Sequence, residues 1–246
     1  MSTENQEIEF INPADFTDAI TKEIDQYFED EGYNEMWLSK ETGKRDPEEV
    51  KTSILNRLFV GYYNEIYIRD TALALVSCAP DLKTNQALLK QGEDEHKHAM
   101  WIVDLLGKRG YDPRVLGRTP SRAYAMFWDY VFGRIHNVAH ENDPLKFLSV
   151  VATTQLVNER LFGLRATAAF AENIVDYDAE VAELYGEKIR RDEIFHVIQL
   201  PEMILERHAT TPEAQQVVRE GVERCKFFLR LTADEMRDLQ KKRPVA

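Results

Sequence analysis

Glutamate and histidine recur along this chain in one order: a glutamate, then Asp-Glu-x-x-His, then both again. Asn64-Glu65 is followed by Asp94-Glu95-His96-Lys97-His98, and Asn158-Glu159 by Asp192-Glu193-Ile194-Phe195-His196. The first Glu-to-Glu interval is 30 residues and the second 34. On a helix, a glutamate and a histidine three apart project from one face, so both can reach one metal ion. Two such motifs supply two carboxylates and two imidazoles. Glu65 and Glu159, from neighbouring helices, can bridge the ions and complete six protein ligands. Carboxylate and imidazole donors suit iron or manganese, and the lack of a nearby cysteine disfavours an iron–sulfur site. In a chain with six histidines a single Glu-x-x-His is unsurprising. Two of them, each preceded by a glutamate at nearly equal spacing, are hard to produce by chance. The competing reading is solvated surface Glu/His pairs. Burying these acids on facing helices would be prohibitively costly without cations to neutralise them.

One register is ambiguous, because Glu93 and His96 also read Glu-x-x-His. Asp94 decides for Glu95 and His98, since Asp192 holds the same place before Glu193. Such an aspartate can hydrogen-bond a histidine's other ring nitrogen and so orient the imidazole. Glu93 and His96 are then surface or outer groups.

The elements that must position these residues are well punctuated. Asn12-Pro13 reads as an N-cap followed by proline in the first turn, opening a helix to about Tyr27. Asp46-Pro47 opens a long helix to about Cys78, stopped by Pro80, and Asp81 caps the next, which ends near Gly110. Thr119-Pro120, Asp143-Pro144 and Thr211-Pro212 mark three more starts, and Asp176 or Asp178 begins a helix reaching about His208. Pro201 inside that helix predicts a local bend. No strand-like alternation competes. The expected fold is all-α: one domain over 1–246, with a four-helix bundle over about 47–208 and flanking helices near 13–27, 120–140 and 212–240.

A net charge of −12 argues against nucleic acid or a polybasic membrane anchor as partners. No segment approaches the length of a transmembrane helix. The N-terminus is polar and acidic, unlike a signal peptide. Cys78 and Cys225 therefore read as two unpaired thiols in a reducing cytoplasm.

The motifs and their order resemble the ferritin-like superfamily, and more narrowly its oxygen-activating branch: the catalytic subunits of bacterial multicomponent monooxygenases and the radical-bearing subunit of ribonucleotide reductase. The resemblance covers about 47–208. It implies a di-iron site, or a manganese–iron pair, with Glu65, Glu95 and His98 serving one ion and Glu159, Glu193 and His196 the other. It further implies dioxygen activation. Three positions depart from the pattern. Ile102 stands where the reductase carries its radical tyrosine, Gly163 where the monooxygenases place a threonine, and Ile189 where the arylamine N-oxygenases have an extra histidine.

The expected activity is oxidation of a small organic molecule by O2: hydroxylation, N-oxygenation or desaturation. The chain has no Rossmann fingerprint, flavin motif or cysteine cluster, so an external electron donor, a ferredoxin or reductase, is implied. A homodimer is expected. The alternative is a ferritin- or rubrerythrin-like ferroxidase without organic substrate. Small residues on the Glu159 face (Ala152, Gln155, Gly163, Ala166) suit either substrate space or close packing. Tyr124, Met126, Phe127, Trp128, Tyr130 and Phe132 read as core or dimer interface before channel lining. Tyr62, Tyr63 and Tyr67 read mostly as packing, His136 and His140 as a surface pair, and His208 as a cation at a helix end.

Overall fold

A computed structural model of the chain describes residues 10–33, 46–116 and 121–241, and the regular structure within them is helical. Seven helices follow in order: α1 (Pro13–Asp30), α2 (Pro47–Val76), α3 (Leu82–Lys108), α4 (Arg122–Glu141), α5 (144–174), α6 (179–208) and α7 (Pro212–Lys241). The caps form as the sequence dictates. Asn12, Asp46, Asp81, Asp143 and Asp178 each accept a backbone N–H from the first turn of the helix that follows. Asp178 rather than Asp176 therefore opens α6. The expected start at Thr119-Pro120 lies outside the described residues, and Ser121 caps α4.

Two helices depart from α geometry. In α5 the central stretch Ala152–Ala166 is π-helical, and in α6 so are Leu184–Ile189 and Phe195–Gln199. The last of these ends just before Pro201. Proline has no N–H to donate and its ring crowds the carbonyl four residues back, so the ladder loosens there. Hydrophobic periodicity does not distinguish i→i+5 from i→i+4 bonding over so short a span, and the sequence reading missed all three segments.

The apolar core is split in two. One cluster holds Val50, Leu58 and Tyr62 of α2, Ala99 and Ile102 of α3, Ile174 of α5 and Tyr185 of α6. The other holds Ile68 and Leu75 of α2, Leu88 of α3, Leu156 and Leu161 of α5 and Leu200 of α6, packed with α1, α4 and α7. Each of the four central helices runs from one cluster to the other. Helices α2 and α6 run one way and α3 and α5 the other, and α4 lies in the connection between the parallel α3 and α5. The polar residues that interrupt the apolar pattern, Glu65, Glu95, Glu159 and Glu193, fall at the junction of the clusters. No helix of the described residues is long and apolar enough to cross a membrane. Cys78 and Cys225 are unpaired and buried.

Candidate metal centre

Each helix brings one glutamate to the junction, and α3 and α6 also bring a histidine. Glu65, Glu95, His98, Glu159, Glu193 and His196 are all buried, at 5% exposure or less. Ligand atoms of Glu65, Glu95, His98 and Glu193 lie within 4.8 Å of one another. The Nδ1 of His98 is 3.2 Å from Glu95 Oε2, 3.3 Å from Glu65 Oε2 and 3.6 Å from Glu193 Oε1. The Nδ1 of His196 is 3.0 Å from Glu95 Oε1 and 3.6 Å from Glu193 Oε1. Glu159 and Glu193 meet at Gly163, where a Cβ would fall 2.8 Å from an oxygen of each. Glu93 and His96 are exposed, with His96 facing Arg69, whereas Glu95 and His98 lie in the buried cluster.

The arrangement differs from the sequence expectation in one respect. Glu65 and Glu159 were the expected bridges, but Glu95 and Glu193 are the carboxylates that stand between the two imidazoles. Glu65 sits beside His98, and Glu159 accepts a hydrogen bond from Asn158 at 2.7 Å. Because α3 and α6 are antiparallel, residue four of one motif faces residue zero of the other. Spacing within either motif does not carry that relation.

The aspartates cross over for the same reason. Asp192 of α6 lies 3.2 Å from the Nε2 of His98 on α3, and Asp94 of α3 lies 3.3 Å from the Nε2 of His196 on α6. Lys97 joins the two aspartates at 2.9 and 3.1 Å, and Lys90 also pairs with Asp94. Each imidazole thus presents Nδ1 inward and holds Nε2 against a carboxylate.

The electrostatics are those of an acid cluster lacking countercharge. Burial drives the carboxyls of Glu65, Glu159 and Glu193 above the usual range, and neighbouring glutamates add to the shift. Burial also works against charge on His98 and His196. Asp192 hydrogen-bonded to His98, and the negative field of Glu95 at His196, nevertheless lift both well above the ordinary histidine value. Glu95 is buried too, yet the two histidines hold its carboxyl low. Asp94 is depressed against its own desolvation by His196, Lys90 and Lys97, and Asp192 by its bond to His98.

Two atoms in the cluster, Glu193 Oε2 and His196 Nδ1, have no hydrogen-bond partner. His196 Nδ1 is close to Glu95 but not aligned to bond it. Buried donors and acceptors are normally paired. The buried cluster of Glu65, Glu95, His98 and Glu193, with unpaired polar atoms in and beside it, could hold a metal ion of the kind that takes carboxylate and imidazole donors.

One contact was not anticipated. The buried Tyr124 of α4 donates to Asn64 and accepts from Asn158 at 3.2 Å, tying together the asparagines that precede Glu65 and Glu159. The repeated Asn-Glu pair was the available signal, but nothing in the sequence pointed to the tyrosine. Phe127 and Trp128 beside it are core, whereas Met126 is exposed. On the Glu159 face the two readings divide. Ala152 packs against α7 at Gly221, while Gly163 abuts the carboxylates. Tyr63 donates to the carbonyl of Pro113 and packs on Tyr62 and Tyr67, as core residues do. His136 is exposed, and the side chain of His140 lies outside the described residues. His208 ends α6 and lies 3.1 Å from both Asp81 and Thr84; burial lowers its pKa and the neighbouring Asp81 opposes that shift.

Comparison with models of known protein families, with curated proteins and with solved structures finds no match.

Proposed function

We propose that the chain is a ferritin-like di-iron oxygenase or oxidase that uses O2 to oxidise a small organic substrate. The observation that carries this reading is the buried cluster of Glu65, Glu95, His98 and Glu193, with His196 beside Glu95 and Glu159 meeting Glu193 at Gly163. Supporting it is the order of the helices, two antiparallel pairs joined by one long crossover through α4, the connection found in ferritin-like bundles. In this reading Glu65, Glu95, His98, Glu159, Glu193 and His196 would hold the ions, with Glu95 and Glu193 placed within reach of both imidazoles. A manganese–iron pair suits the same donors.

When bound, the ions supply the redox chemistry that activates dioxygen. The chain's own residues prepare the place. Asp94 and Asp192 hold the imidazole orientations, with each Nδ1 turned toward the carboxylates. Asn158 donates to one oxygen of Glu159 and leaves the other toward Gly163. Gly163 lacks the side chain that would collide with Glu159 and Glu193, so those carboxylates can change position as charge at the centre changes. The apolar clusters on either side keep bulk water out. With no second redox group among the motifs, electrons come from an external ferredoxin or reductase.

Anaerobic Fe(II) titration followed by admission of air tests the reading. Two irons per chain and rapid O2 consumption are expected. A chain that retains no iron, or whose bound iron is inert to O2, ends it. Uptake of many irons into a large cage replaces it with an iron store.

A further inference from the structure

Arg57, Gly61 and Glu65 succeed one another at four-residue intervals on α2 and share one of its faces. The partly buried guanidinium of Arg57 stands over two aromatic rings, 5.7 Å from the centroids of Phe170 on α5 and Tyr185 on α6. Its Nη2 reaches the carbonyl of Phe162 at 3.5 Å and the hydroxyl of Thr167 at 3.3 Å. Its Nε is buried without a partner. Among the described residues no carboxylate pairs with it.

One turn further along, the hydroxyl of Tyr185 lies against Gly61, where any Cβ would overlap it. Tyr185 is 1% exposed and its hydroxyl has no hydrogen-bond partner. Phe170 packs edge-on against its ring at 5.3 Å. Two donor groups therefore stand unpaired, the Arg57 Nε–H and the Tyr185 hydroxyl, beside an aromatic wall and within two helical turns of Glu65. Each is costly to bury without an acceptor. The group complementary to both is an anion. A carboxylate matches the guanidinium fork in shape as well as charge, and a hydrocarbon body matches Phe170 and the Tyr185 ring.

The geometry points to a small organic acid as the substrate, with its carboxylate accepting from the Nε–H of Arg57 and the hydroxyl of Tyr185, and its apolar body against Phe170 and the Tyr185 ring. That this ligand is a substrate rests on the proposed oxidation at the metal centre. That it is an acid rests on Arg57 and Tyr185 alone.

The test is calorimetric titration of the full chain, metal-free and loaded with Zn(II), using short straight-chain and phenyl-substituted monocarboxylates, each beside its primary amide. Acids should bind at least about tenfold more tightly than their amides, as expected for a charge-assisted pair. Arg57→Gln should cost about ten- to a hundredfold in acid affinity and nothing in amide affinity, with Arg57→Lys in between. Tyr185→Phe should weaken acid binding several-fold with the helical circular dichroism intact. The inference is overturned if acids and amides bind alike, if no acid binds, or if Arg57→Gln binds acids as the parent does. Should Arg57→Gln fail to fold, the acid–amide comparison and Tyr185→Phe decide. Metal stoichiometry, measured separately, keeps the two readings apart. Acid preference without metal uptake removes the oxygenase and keeps the anion site, whereas metal uptake without acid preference does the reverse.

Discussion

Each imidazole of the centre is held from behind by an aspartate on the opposite helix, and that contact fixes which nitrogen faces the cluster. Removing such a support typically costs ten- to a hundredfold in metal affinity. Asp192→Ala should therefore weaken Co(II) or Fe(II) binding by about that factor, read by chelator competition, with little loss of helix. Asp94→Ala should match it, because the two halves mirror one another. An unchanged affinity in both would mean the aspartates serve only Lys97. Gly163→Ala probes the other side of the ligands. Its methyl would stand 2.8 Å from oxygens of both Glu159 and Glu193, so one carboxylate must swing away. The expected result is loss of the second metal in a titration, and retention of both would show that the carboxylates have room to spare. That these six side chains share the interior was legible in the sequence, because helical spacing converts a three-residue interval into a shared face. Which glutamates stand between the histidines was not. That depends on how two distant helices face each other, and neither sequence segment records it.

The helices owe their limits to short polar residues whose work is local, which explains why so many starts could be read directly. Asp81 is the most heavily used of them. It caps α3 through Thr84 and also pairs with Arg207 and His208 at the end of α6, so it staples two ligand-bearing helices. Asp81→Ala should cost about 1 kcal/mol for the lost cap, measured by urea denaturation near neutral pH. The backbone N–H of Thr84, with Arg207 and His208, draws the Asp81 pKa down to about 2. Because the folded value lies below the unfolded one, its contribution is present above the ordinary carboxylate pKa. It is lost as pH falls toward about 2. The parent and Asp81→Ala stabilities should converge over that window, and a constant gap would show that the carboxylate charge is irrelevant. The π-helical stretches were invisible for the converse reason. They answer to tertiary demands along α5 and α6, where Asn158, Glu159 and His196 must meet partners on three other helices. Such irregular turns concentrate at functional sites in proteins generally.

At the scale of the molecule, a layer of acid and imidazole cuts a helical core into two apolar halves, and the fold carries that layer at a cost in stability. Burial pushes the carboxyls of Glu65, Glu159 and Glu193 toward their protonated form, and polar atoms in the layer stand unpaired. Metal binding should relieve both penalties and displace those protons, so folding and loading are linked. Any ligand that binds only the folded chain stabilises it by about 4 kcal/mol when present at roughly a thousand times its dissociation constant. Addition of Fe(II) under argon, or of Co(II), should therefore raise the thermal midpoint by several degrees, and a chelator should reverse the rise. The shift should grow with pH, because protons and metal compete for the same carboxylates and imidazoles. Replacing Glu95 and Glu193 together by leucine provides the control. That chain should show no response to metal, and should melt below the metal-free parent because His98 and His196 lose the Glu95 carboxylate that pairs with them. A parent whose midpoint ignores metal would mean the acid layer is held by protein contacts alone, and a double variant that still responds to metal would place the effect away from these carboxylates.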